Sequence, residues 1–181
     1  MDKKTPEDKI KEILFKKSQD EYGDGYKSHY LEIYKFYVSG ADNISARRHT
    51  ANSFFLTINT ALLAFLGYTK PLLAQPAGRL VLIVTLSGIL LCYFWYRLIK
   101  SYKGLNSGKF KVIHLIEQNL PLSPYDAEWE AVGRGKDRKK YLPFTHVEVY
   151  IPWIFLAVYI IIFFTFFPLK EICKYVNIKI P

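Results

Sequence analysis

Four histidines and several acids of one polar segment have the chemistry to act as bases, acids or metal ligands in this 181-residue chain. His29, His49, His114 and His146 never fall at H-x-x-x-H spacing, and no HExxH occurs. The local geometry that binds a catalytic zinc is therefore not encoded, and no metal or cofactor is expected. Glu117, Asp126, Glu128 and Glu130 are four of the acids of the segment 100–148. Paired carboxylates can trade protons with a substrate, but here they lie among Lys and Arg and read as local charge balance. His146 and Glu148 precede an apolar block and read as interfacial surface residues. Gly133-Arg134-Gly135-Lys136 has the composition of a phosphate loop without the G-x-x-x-x-G-K-[ST] spacing, so it reads as a solvated basic loop. Cys92 lies in an apolar block and reads as a small hydrophobe. Cys173, in the C-terminal tail, could pair between chains, and no CxxC exists. No GxSxG and no Cys/His arrangement supplies a nucleophile. No catalytic residue is expected.

What positions these residues is a strongly segregated chain. Half of it is hydrophobic and 17% aromatic, which is ordinary, but the apolar residues collect in three blocks separated by charged segments. A water-soluble globule spreads its apolar residues in short periodic sets, whereas a membrane protein concentrates them. The blocks are Thr50–Tyr68, Leu80–Ile99 and Val149–Phe167. At 1.5 Å per residue the first spans roughly 28 Å, close to one hydrocarbon thickness. Tyr93, Trp95 and Tyr96 near the end of the second suit an interfacial belt, and Arg97 and Lys100 can reach the headgroups. The expected fold is all-α, an integral membrane protein with a two-helix hairpin (50–68 and 80–99), a third C-terminal segment (149–168) and cytoplasmic helical regions. The flanking parts are an N-terminal helical region 1–49, a middle segment 100–148 and a tail 169–181.

Within the polar parts, Thr5-Pro6-Glu7 reads as a helix start before Ile10, Ile13 and Leu14. Tyr22-Gly23-Asp24-Gly25 reads as a break. Beyond it Tyr26, Tyr30, Ile33, Tyr34, Tyr37 and Ile44 make an aromatic-aliphatic stripe at helical spacing, which needs a partner helix or another subunit. With no proline before the first apolar block, one long helix is expected to run from water into the membrane. Ser107 could cap a further helix from Lys109 to Gln118, ended at Pro121, and a short turn of helix is expected from Asp126 to Val132 around Trp129.

The first apolar block carries Asn52 and Asn59, seven apart and so on one helical face, which Ser45 and Arg48 continue. An amide in hydrocarbon needs a partner, so this face should meet protein or water. It could line a pore or an oligomer axis, or bond between helices of a bundle. Arg47, Arg48 and His49 abut the same block. Arg47 and Arg48, with Lys139 and Lys140, are expected to meet anionic headgroups.

Residues 97–140 hold ten Lys or Arg against two in 69–79. That asymmetry places the middle segment, and with it the N-terminus, in the cytoplasm. The tail lysines Lys170, Lys174 and Lys179 weigh against an external C-terminus, so a re-entrant third segment stands as the alternative to a third span. The first thirty residues are charged throughout with no secretory apolar core, so the first block is expected to stay in the mature protein.

Three stretches resemble a known family. They are Ala41–Leu62, with Asn-Ile-Ser-Ala-Arg-Arg-His-Thr-Ala-Asn at its centre; Trp95 followed by Ser101–Ile113; and Leu120-Pro121-Leu122, Tyr125, Glu128-Trp129, Glu148 and Ile151-Pro152. Together, over residues 26–168, the chain resembles the RipA family of octameric bacterial membrane proteins. The resemblance implies a bacterial cytoplasmic-membrane location and a homo-octamer, and it carries over no catalytic residue. An eightfold cyclic or fourfold dihedral assembly would give Tyr30, Tyr34, Tyr37, Asn52 and Asn59 the partners they need, within or between subunits. The function expected on these grounds is a non-enzymatic scaffold in envelope or stress adaptation, with membrane lipids and an unidentified protein as partners and no nucleic acid. A pore or membrane-disrupting effector of anti-phage type is the second reading. A membrane enzyme acting on lipid headgroups is the third.

Overall fold

The computed structural model describes residues 4–69, 77–136 and 147–166, and among these every regular element is helical. The short N-terminal helix α1, Pro6–Leu14, begins where the sequence indicates. Thr5 and Asp8 cap each other reciprocally: the Asp8 amide donates to Thr5 Oγ1 at 3.2 Å and the Thr5 amide to the Asp8 carboxylate at 3.0 Å. A second capping box, Ser18 with Glu21, starts the one-turn helix α2, Gln19–Tyr22. Gly23 then takes φ 88°, a conformation that a residue with a Cβ rarely adopts, and the chain turns.

Helix α3, Tyr26–Thr69, runs 44 residues without interruption. Helix α4, Ala77–Glu117, runs 41. The separate helix expected after Ser107 does not exist, because α4 continues straight through it. Gly104, Ser107 and Gly108 weaken a helix by up to about 1 kcal/mol each, but none removes a hydrogen bond as proline would. After Glu117 the chain turns, and α5, Pro124–Ala131, follows. A single 3-10 turn, Gly133–Gly135, comes next. Arg134 takes φ 50° there and is ion-paired with Glu130 and, at 3.5 Å, with Asp126. The basic Gly-Arg-Gly run is thus partly neutralised. The last described helix, α6, Ile151–Phe166, has Pro152 in its first turn.

The windows long and apolar enough to cross a membrane lie in Tyr26–Tyr68 and Leu80–Glu117, and α6 is a shorter apolar helix. The architecture is that of an all-α membrane protein.

The chain divides into two compact units. One comprises Met1–Arg47 and Tyr102–Pro143, the other Arg48–Ser101 and Phe144–Pro181. The second unit has an apolar core of Leu66, Val81, Val84, Cys92 and Tyr159, against which Leu62, Ile89 and Phe155 pack. Its α4 and α6 approach closely at one point. The Tyr159 ring occupies the space where a Cβ on Gly88 would lie. Outward, this unit exposes Phe54, Ile83, Leu90, Phe94, Ile154 and Ile161, side chains that suit lipid and not water. The first unit buries Ala41, Ile44, Ile113, Leu115 and Ile116.

Candidate functional site

Two polar seams hold the polar side chains that the apolar surroundings would otherwise strand. In the apolar unit the seam runs between α3 and α4. The Trp95 indole N–H donates to Asn52 Oδ1 at 2.9 Å, and the Trp95 ring stacks on Phe55 with centroids 5.8 Å apart. Asn59 has no exposed surface. Its amide donates to the Phe55 carbonyl at 2.8 Å, and its oxygen accepts from the Cys92 thiol at 3.5 Å. From α6 the Tyr159 hydroxyl donates to the Asn59 carbonyl at 3.3 Å. Three helices therefore converge on one asparagine. The Thr85 hydroxyl, also fully buried, has no hydrogen-bond partner among the described residues. Where α3 enters its apolar stretch, Arg48 Nε lies 3.3 Å from Glu148 Oε2, both side chains mostly buried.

In the other unit the seam centres on Glu117, the last residue of α4, whose side chain is completely buried. Tyr34 donates its hydroxyl to Glu117 Oε1 at 2.8 Å. The backbone N–H groups of Tyr125 and Asp126 donate to Oε1 and Oε2 at 3.2 and 3.3 Å. Those two amides belong to the first turn of α5, which has no side-chain cap from Ser123. Glu117 supplies the cap from another helix, a negative charge at a helix N-terminus where the aligned peptide dipoles favour it. Ser123 instead donates to the Glu117 carbonyl at 3.2 Å, closing the turn between the helices. His114 lies beside this group, its Nδ1 4.0 Å from Glu117 and 3.9 Å from Asp126.

The tyrosine stripe lines the same seam. Tyr30 donates to the Ile116 carbonyl at 2.6 Å, and Lys109 Nζ lies 4.2 Å above the Tyr37 ring. Burial is the main reason that the Tyr34 phenol is pushed up to about 12, and the hydrogen bond and charge of Glu117 add to it. Tyr30 and Tyr125 are raised in the same direction, again chiefly by burial.

Among the described residues, no group of three or more His, Cys, Asp or Glu is arranged to hold a metal ion. Both oxygens of Glu117 accept hydrogen bonds from donors of the chain itself.

These contacts bear on each residue singled out in the sequence. Tyr30, Tyr34 and Tyr37 meet α4 of their own chain. Asn52 and Asn59 also bond within the chain. Arg48 is paired with Glu148, whereas Arg47 is exposed. Lys139, Lys140, His146 and Cys173 lie outside the described residues. Glu117, read from the sequence as balancing local Lys and Arg, is instead buried and caps α5. A signal for that role was available: an acid a few residues before Ser123-Pro124, a helix start whose amides need an acceptor. Tyr159 was also missed, although a lone hydroxyl within the apolar run 151–164 needs a partner.

The profile of the octameric membrane protein family (8xMP) matches residues 31–168, which includes both seams apart from Tyr30. The chain belongs to that family. The family description indicates homo-oligomerisation, in agreement with the resemblance seen in the sequence at this coarser level. No curated protein and no solved structure matches the chain.

Proposed function

We propose that the protein is a non-enzymatic scaffold of the bacterial cytoplasmic membrane, assembled as a homo-octamer with its N-terminus in the cytoplasm. The finer kinship with the RipA family, and a role in envelope or stress adaptation, belong to the same reading. One observation carries it: the strongest polar groups of the seams, Asn52, Asn59 and Glu117, are bonded inside the protomer. Polar groups bonded inside the protomer make a subunit rigid, which suits a scaffold. An acid–base enzyme would need a carboxylate free to meet a substrate proton. Arg47 and Arg48, at the start of the first apolar block, are assigned to anionic headgroups, and Lys139 and Lys140 are assigned the same role, all from their sequence position.

A pore is the second reading, and a specific feature favours it. Ser53, Thr57 and Thr60 share an exposed face of α3, distinct from the buried Asn59. In a ring of subunits such a hydroxyl-bearing face could line water. The same hydroxyls can also bond back to their own helix and face lipid. Ion flux from liposomes carrying the purified oligomer separates the two, with wild type compared with Thr57→Leu. The scaffold reading expects no flux from either protein. Flux from wild type that Thr57→Leu blocks, with the oligomer intact, would establish the pore and sink the scaffold reading.

A further inference from the structure

In the unit formed by Met1–Arg47 and Tyr102–Pro143, the buried side of α3 is occupied, but another side is not. Phe36 is 80% exposed and Ile33, one turn before it, 58% exposed. Phe36 precedes Thr50 by roughly 20 Å of helix at 1.5 Å per residue, so it lies outside the apolar segment. Lipid therefore does not explain these two side chains, although it explains the exposed Phe54, Leu90 and Phe94. Neighbouring large apolar groups facing water on a long helix mark an interaction surface.

The occupant follows from three observations. The family is octameric, so each chain must present surfaces to copies of itself. Copies inserted in one membrane with one orientation are related by rotation about the membrane normal. A dihedral arrangement would invert half of them. An eightfold ring is closed by head-to-tail contacts, in which a surface meets a different surface of the next copy at its own level. That level is set by contacts inside this unit. Tyr34 is opposite Glu117 and Tyr37 is opposite Lys109, so Phe36 is level with the middle of the stretch 109–117 of α4. The exposed side chain of α4 in that middle stretch is Lys111. The exposed acid Glu32 precedes Phe36 by one turn, so the two faces also match in charge.

We propose that the Ile33/Phe36 face of α3 docks on the Lys111 face of α4 of the next copy, closing the octamer outside the membrane. The proposal rests on the octameric reading above. Phe36 would cover the lysine stem, with the ammonium shared between the Phe36 ring and Glu32.

The test uses the full-length protein extracted in detergent and weighed intact, beside its circular dichroism. Wild type is expected to be an octamer. Phe36→Glu is expected to lose the octamer for smaller species while keeping its helicity, since the side chain it replaces touches little within the protomer. A second measurement covers the geometry. The pair Phe36→Cys with Lys111→Cys, oxidised mildly, is expected to give a ladder of covalent multimers well beyond that of the parent chain or of either single variant. A wild type that is not octameric overturns the octameric reading and the surface with it. An octameric wild type whose Phe36→Glu variant is equally octameric overturns the surface alone. So does a Phe36→Cys single variant that links as fully as the pair, because it would join like faces.

Discussion

Glu117 is the residue on which the polar unit depends most. Its carboxylate accepts from the Tyr34 hydroxyl and from two amides of α5. Replacing it with alanine strands three donors and opens a cavity, and stranded buried donors are costly. Glu117→Ala is expected to destabilise this unit by about 2–4 kcal/mol. Amide hydrogen exchange should locate the loss at Tyr125 and Asp126, and unchanged protection there would refute the capping role. Tyr34→Phe removes a single bond and is expected to cost about 1 kcal/mol. The Tyr34 phenol also gives the fold a pH dependence. Its folded value, pushed up to about 12 from about 10, means that the fold favours the neutral hydroxyl. That contribution is fully present below about pH 10 and is lost as pH rises toward 12. Tyr30 and Tyr125 act with the same sign. Melting temperature is expected to fall across that window, and Tyr34→Phe to flatten the fall. A fall equally steep in the variant would assign the effect to other groups.

At the scale of elements, the attachment of α6 to the hairpin is the decisive packing event in the apolar unit. A membrane offers no hydrophobic drive between helices, so close approach and specific hydrogen bonds hold them together. Gly88 permits the approach, and Tyr159 fills it and reaches the Asn59 carbonyl. Gly88→Val is expected to force the Tyr159 ring out and cost about 1–3 kcal/mol, as overpacking does. Pairing it with Tyr159→Ala should recover part of the loss, because the two share one space. Thermal melts of the two singles and the double in one detergent measure the coupling, and strict additivity would count against the shared slot. The helix boundaries are set by local chemistry. Thr5-Pro6 starts its helix where the sequence indicates, Ser18 starts the next through a capping box with Glu21, and α3 runs unbroken because no proline interrupts it. The misread boundary at Ser107 shows the limit of local signals: a serine between two glycines looks like a cap, but an established helix runs through all three.

At the scale of the whole molecule, the two seams assign different work to different surfaces. Asn59→Leu, which looks from the sequence like a test of conduction, is a packing mutation, since that amide bonds inside the hairpin. It is expected to lower the melting temperature without creating or abolishing flux. Conduction has to be sought at the exposed Ser53, Thr57 and Thr60 face, and assembly at the Ile33/Phe36 face. Lowered thermal stability together with unchanged flux is the combination that separates these roles in one liposome preparation.

Segregation of apolar residues determined the membrane character, and helical periodicity with the absence of proline determined the long α3. Both are properties of contiguous sequence, where each residue's neighbours are known. The stripe of tyrosines and the asparagine pair announced that partners were required, because a buried polar group without one is costly. Which partners they were depended on residues far away in the chain: Trp95 for Asn52, Cys92 for Asn59, Glu117 for Tyr34. Only the tertiary structure decided these pairings. Each depends on which helical faces meet and at what level, and a pattern along one helix does not contain the register of the next.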